Sequence, residues 1–189
     1  KLFAPFLQKQ ITMAKEKAHY LGIKTCPYDT LLDTYEPDMT TAVLTPLFEK
    51  LRDKNIALFQ KTQQSTASFI SLNKHHYDTD KQWQFGIDIL KKIGFNFHCG
   101  RQDISTHPFT TQFHPNDVRI TTRLNPNQIM EAFSSSMHEG GHGLDEQGLD
   151  QTWYGTPFCE ATSLGTHESQ SRFWENIVCK SASFWKGQF

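Results

Sequence analysis

The sequence predicts a mainly α-helical protein with one small antiparallel β-sheet, and three observations carry that expectation. Apolar residues recur three and four apart along most of the chain, the period of an amphipathic helix. That period gives way to alternation only between residues 95 and 124. Helical spacing then resumes and runs into M-H-E-G-G-H-G-L-D-E-Q-G, Met137 to Gly148, which places two histidines four apart.

The elements follow in order. Leu2, Phe6, Leu7, Ile11, Met13, Ala14, Ala18 and Leu21 mark a core helix that ends near Gly22. Cys26 to Asp38, C-P-Y-D-T-L-L-D-T-Y-E-P-D, reads as a loop with a short turn or helical piece and solvated acids. From Thr40, Val43, Leu44, Leu47, Phe48, Leu51, Ile56, Leu58 and Phe59 make a second long helix, with Pro46 opening or kinking it and its end near Lys74. His75 and His76 lack a second ligand at helical distance and belong on the surface. Asp80 caps a helix through Trp83, Phe85, Ile87, Leu90 and Ile93, which Gly94 closes. The alternations in F-N-F-H-C and in Val118, Ile120 and Thr122 define the sheet. Asn125-Pro126 starts the next helix, with Pro126 in its first turn, and the helix reaches about Gln147. A loop over 148 to 162 precedes a last helix that Ser163 caps, with Phe173, Trp174, Ile177 and Val178 on its apolar face.

Composition narrows the function. A chain of 189 residues suits one domain, or two small ones. Its 19 basic and 20 acidic residues are mixed to a net charge of −1, leaving no basic stripe for nucleic acid and no polybasic patch for a membrane. Cys26, Cys99, Cys159 and Cys179 form no C-x-x-C pair and read as reduced thiols, which suits the cytoplasm. The first residues, K-L-F-A-P, carry neither an initiator methionine nor a signal-peptide apolar core, so the chain is expected to start inside a longer gene product.

The chemistry sits in H-E-G-G-H. On a helix, His138 and His142 lie one above the other, so both imidazoles can reach a single cation at about 2.0–2.1 Å. Glu139 is turned about 100° from His138, where it can take a proton from water that the ion activates. Gly140 and Gly141 each cost a helix interior about 1 kcal/mol relative to alanine, which argues for close approach of a neighbour or of substrate backbone. A catalytic zinc usually takes a third protein ligand. Spacing favours Glu168 in the following helix, with Glu160 and His167 as alternatives. Beside the motif, His107 reads from spacing as a turn histidine before Pro108. Asp117 and Arg119 share a strand face as an ion pair, and Arg119 and Arg123 can also bind a carboxylate in bidentate fashion.

H-E-G-G-H, followed by H-E-S-Q-S-R-F-W-E-N and preceded by H-P-F and D-V-R-I-T-T-R, resembles the carboxypeptidase Taq family of metallocarboxypeptidases. L-L-D-T-Y-E-P-D-M-T-T resembles that family's central region as well. The resemblance implies a helical zinc-peptidase architecture with its small sheet beside the active-site helix. It implies His138, His142 and Glu168 as ligands of one divalent ion, zinc or else cobalt, with Glu139 as general base. By the same resemblance, His107, Pro108, Phe109, Asp117, Arg119, Thr121 and Arg123 line or support the site, the substrate is a peptide cleaved at its C-terminus, and the protein forms a homodimer. Departures are Asp145 where the family often has tyrosine, Gly140 where it has a bulkier residue, and Cys179 where glycine is common. The family's I-R-x-x-A-D and G-x-x-Q-D-x-H-W motifs fall beyond residue 189. Residues 1–189 are therefore expected to be a single catalytic-domain fragment with little activity alone. A zinc endopeptidase and a non-catalytic metal-binding fragment are the alternatives.

Overall fold

A computed structural model describes residues 1–23, 26–65 and 72–188. Contacts divide the chain into two compact units, Lys1–Ser68 and Phe69–Phe189. Among the described residues no helix is long and apolar enough to cross a membrane, and the four cysteines are free thiols.

The first unit consists of α1 (Ala4–Tyr20), α2 (Pro27–Leu32) and α3 (Thr41–Gln63). Gly22, at a φ of 81°, follows α1 where the sequence expects a stop. Asp29 of α2 is not a solvated acid. It is 1% exposed, and its Oδ1 accepts the Thr41 N–H at 2.9 Å, so a side chain from α2 satisfies an orphan donor at the start of α3. Pro46 lies inside α3, which ends at Gln63 rather than near Lys74; residues 66–71 of that expected extension fall outside the described residues. The expected core character of α1 also needs correction. Ala18 is its one buried residue, while Phe6, Leu7 and Ile11 are exposed, and α3 buries none of its residues fully. Helical periodicity reports that a stripe is amphipathic, not what covers it.

The second unit is built around a single helix, α5. Before it come α4 (Thr79–Ile93) and strands β1 (Gly100–Ile104), β2 (Thr110–His114) and β3 (Asp117–Thr122); after it come α6 (Leu164–Arg172), a π-helical stretch (Phe173–Val178) and α7 (Ala182–Gln188). The cap of α4 is Asp78 rather than Asp80: its Oδ1 accepts the N–H groups of Asp80 and Lys81 at 2.9 and 3.0 Å. Gly94, at a φ of 102°, closes the helix. Phe95 to Cys99 is a turn and not a strand. The alternation there arises because Phe95 and Phe97 both pack on one cluster with Leu90, Val118 and Ile120.

The sheet has the order β1-β3-β2. β2 and β3 pair antiparallel, whereas β1 runs parallel to β3, with Gly100 opposite Val118 and Ile104 opposite Thr122. The sheet is therefore mixed rather than wholly antiparallel, a distinction that side-chain alternation does not encode.

Helix α5 spans Ile129–Gln147. It starts later than Asn125-Pro126 suggests because Asn125 folds that segment into a turn, its Oδ1 accepting the Asn127 N–H at 3.0 Å and its carbonyl accepting the Gln128 N–H at 3.2 Å. One side of α5 places Phe133 and Met137 against Ile89 and Cys179. The other meets the sheet through Gly143, where a Cβ would stand 2.6 Å from Phe95 Cε2. Ser163 caps α6 as expected, its Oγ accepting the Thr166 N–H at 3.1 Å. The apolar face expected beyond α6 is split. In the π-helical stretch the Cys179 N–H reaches back five residues to the Trp174 carbonyl, at 2.9 Å; Trp174 and Val178 join the Met137 cluster while Phe173 and Ile177 stay exposed. Each pair is spaced i, i+4, so the four residues form two adjacent stripes, of which one packs on the core.

Candidate active site

Helix α5 supplies His138, Glu139 and His142, and α6 lies against it closely enough to bring Glu168 onto the same spot. Gly141 makes that approach feasible. A Cβ there would stand 2.7 Å from both the Gln170 carbonyl oxygen and Ser171 Cα, so only glycine lets the α6 backbone come this near. Gly140 does the same toward α4, where a Cβ would meet Leu90 Cδ2 at 2.5 Å. The helix-propensity loss at these glycines thus goes with helix packing.

His138 Nε2 lies 3.9 Å and His142 Nε2 3.3 Å from Glu168 Oε2. One ligand atom from each of the three residues falls within 4.8 Å of the others, the one group of this kind among the described residues. Tetrahedral ligands about 2.1 Å from a zinc ion stand about 3.4 Å from one another, so this donor set fits one such ion. Burial and the neighbouring His167 and His138 depress the His142 pKa to about 4, leaving a neutral imidazole able to donate a lone pair. Burial alone would raise the Glu168 pKa, but Arg172 and both histidines pull it below the usual range and keep the carboxylate ionised. Arg172 Nε donates to Glu168 Oε1 at 2.9 Å, on the oxygen that does not face the histidines.

Glu139 occupies a different environment. It is 7% exposed, and its Oε2 accepts the Thr110 hydroxyl at 2.6 Å. Burial pushes its pKa up, opposed by Thr110 and the nearby His138. A carboxyl group raised in this way is a stronger base than an exposed glutamate. A cavity of about 240 Å³ opens beside it, lined by His107, Pro108, Ser134, Ser135, His138, Glu139 and Glu175.

The other sequence candidates fall into two groups. His107 and Pro108 border the cavity, with His107 Nδ1 2.7 Å from the Pro108 carbonyl oxygen. Thr121 is buried and fixes the adjoining loop: its Oγ1 accepts the Phe109 N–H at 2.9 Å and meets Ser105 Oγ at 2.7 Å. Asp117 and Arg119 form an exposed bidentate pair at 2.8 and 2.9 Å, with the guanidinium 4.9 Å from the Phe113 ring centre. Arg123 pairs with Glu131 at 3.4 Å. Phe109 is half-exposed. Neither Glu160 nor His167 joins the ligand group; His167 Nδ1 instead lies 2.7 Å from Asp145 Oδ2, and its ring centre is 4.3 Å from that of His142, the planes tilted by 30°. Sequence reading passed over Thr110 and Glu175. Thr110 has no signal beyond a strand threonine, whereas Glu175 follows Glu168 by seven residues, two helical turns.

Two histidines one turn apart and a glutamate from the next helix form a group that could hold one metal ion, with a buried glutamate beside it, on a helical scaffold. The chain belongs to the carboxypeptidase Taq (M32) metallopeptidase family, whose model matches residues 1–189. It is 41% identical over 185 residues to thermostable carboxypeptidase 1 of Pyrococcus furiosus, covering 96% of this chain and 37% of that protein. It is 36% identical over 188 residues to carboxypeptidase 1 of Bacillus subtilis, covering 97% of this chain and 37% of that one. The M32 carboxypeptidase structure from Deinococcus radiodurans R1 matches with a TM-score of 0.88 and 35% identity, over 96% of this chain and 36% of that one. The chain thus spans little more than a third of the relatives' length.

Proposed function

We propose that this chain carries the metal centre and general base of a zinc-dependent carboxypeptidase, which removes single residues from the C-terminus of peptides. The observation that carries the reading is the convergence of His138, His142 and Glu168 within 4.8 Å beside a buried glutamate. When bound there, a zinc ion would polarise the scissile carbonyl and make its water acidic near neutral pH; cobalt would serve the same donor set. His138 and His142 offer Nε2 lone pairs and Glu168 offers Oε2. Glu139 takes the proton from the attacking water and returns it to the leaving amine, with the Thr110 hydroxyl holding its Oε2. The cavity beside Glu139 admits the chain end. Arg119 and Arg123, the cations that the sequence offers for the substrate carboxylate, are engaged with Asp117 and Glu131 and must exchange partners to bind it.

On this reading residues 1–189 form part of one catalytic domain, the free thiols suit the cytoplasm, and the homodimer suggested by family resemblance is the oligomeric state to test. Metal content and hydrolysis, measured on protein carrying this chain, test the proposal. Glu168→Ala is expected to lose the ion. Glu139→Gln is expected to keep it while losing about 10²–10⁴-fold in turnover. Equal cleavage of free and C-terminally amidated peptides would replace the carboxypeptidase assignment with an endopeptidase one.

A further inference from the structure

One continuous helical segment addresses both nitrogens of the His138 ring. Glu168, on α6, faces Nε2 at 3.9 Å. Glu175, seven residues later in the π-helical stretch, places Oε2 3.0 Å from Nδ1. Glu175 is itself anchored: Oε1 lies 3.3 Å from Lys180 Nζ, and Oε2 lies 3.5 Å from Arg172 Nη1. Through Nε the same Arg172 holds Glu168 Oε1 at 2.9 Å. The Glu175 side chain is only 16% exposed, so little water competes for its contacts.

Both Glu175 oxygens face donors, Lys180 Nζ at Oε1 and Arg172 Nη1 at Oε2, so the group meets His138 as a hydrogen-bond acceptor. The proton of a neutral His138 must then sit on Nδ1, which leaves the Nε2 lone pair directed at Glu168 and His142. His142 is held differently, since its buried Nδ1 has no hydrogen-bond partner among the described residues. We infer that Glu175 is the positioning residue of this centre, fixing the tautomer and ring orientation of His138, with Arg172 tying it to Glu168 so that ligand and orienting carboxylate move together.

This inference rests on the metal reading proposed above, and the experiment separates the two. In metal-free protein at a pH where the ring is neutral, long-range ¹H–¹⁵N correlation is expected to show His138 protonated on Nδ1. Protonation on Nε2 would overturn the inference, and no variant is needed to see it. Zinc affinity is then compared by chelator competition in the parent, Glu175→Ala, Glu175→Gln and Glu168→Ala, with circular dichroism confirming the fold. Glu175→Ala is expected to bind about 10- to 100-fold more weakly. Glu175→Gln, whose amide oxygen still accepts from Nδ1, is expected to recover part of that loss, and its cobalt spectrum to move back toward the parent's. Parental affinity in Glu175→Ala, with zinc lost in Glu168→Ala, would overturn the role of Glu175 and leave the metal site standing. Parental affinity in Glu168→Ala would instead overturn the metal reading itself.

Discussion

Gly141→Ala tests whether helix proximity sets the site. The added Cβ would stand 2.7 Å from the Gln170 carbonyl oxygen and from Ser171 Cα, where ordinary contact begins at 3.4 Å. The atoms it meets are backbone, so no side-chain rotation relieves the contact, and α6 must retreat by about 0.7 Å. Glu168 lies two residues before Gln170 on that helix and retreats with it. Metal-ligand distances tolerate about 0.2 Å. Overpacking of this kind costs about 1–3 kcal/mol, and if it appears wholly in the bound state, zinc affinity falls by about 5- to 150-fold. Affinity is a cleaner readout than stability, because alanine also gains up to about 1 kcal/mol of helix propensity over glycine. The assay is competition with a fluorescent chelator, with Gly140→Ala as control. There the Cβ meets Leu90 Cδ2, the end of a side chain that can turn aside, on the α4 side of the helix. Gly140→Ala is expected to alter stability and spare zinc affinity. Unchanged affinity in Gly141→Ala would refute the argument that the close approach of α6 positions Glu168.

Further outcomes follow from other contacts. Met137→Ala removes a side chain 1% exposed at the centre of the cluster with Ile89, Phe133 and Cys179, and is expected to cost about 2–5 kcal/mol in chemical denaturation. Thr110→Val removes the hydroxyl that opposes the burial-driven rise in the Glu139 pKa. The acidic limb of kcat/KM is therefore expected to move to higher pH, and an unmoved limb would exclude Glu139 as the group it reports. Glu146 also has a raised pKa, chiefly through burial. A carboxyl with a raised folded-state pKa costs the fold nothing below its ordinary value of 4.5 and the full penalty above the folded value. Glu146→Gln is expected to gain melting temperature over the parent as pH rises through that window, and a pH-independent difference would refute the assignment.

Why some of this was legible in the sequence and some was not has a physical basis. Spacing within one helix was readable: His138, Glu139 and His142 sit where the 3.6-residue period puts them, and Gly94 and Ser163 mark helix ends through local backbone chemistry. The contribution of Glu168 depends on how close α6 comes to α5; spacing ranks it above Glu160 and His167, and the family resemblance of H-E-S-Q points to the same residue. The direction of β1 was not encoded, because a strand buries the same alternating face whether its neighbour runs parallel or antiparallel. The π-helical stretch was not legible because no residue type forces it, and the split of Trp174 and Val178 from Phe173 and Ile177 depends on what covers each stripe, which periodicity does not report.

The glycines connect these two kinds of information. By helix propensity alone, Gly140, Gly141 and Gly143 weaken the helix that carries the motif. In the fold, each removes a Cβ that would collide with a different neighbour: Leu90 of α4, the α6 backbone, and Phe95 beside the sheet. On the proposed reading, a helix that offers two ligands and a base must be approached on several sides at once if a third ligand, a hydroxyl to hold the base and a core to fix all of them are to converge within a few ångströms. Local helix propensity falls at the residues where tertiary approach is greatest. The G-G inside H-E-G-G-H is thus as informative about the site as the histidines, because it marks where the neighbouring helices must stand for Glu168 to reach the pair.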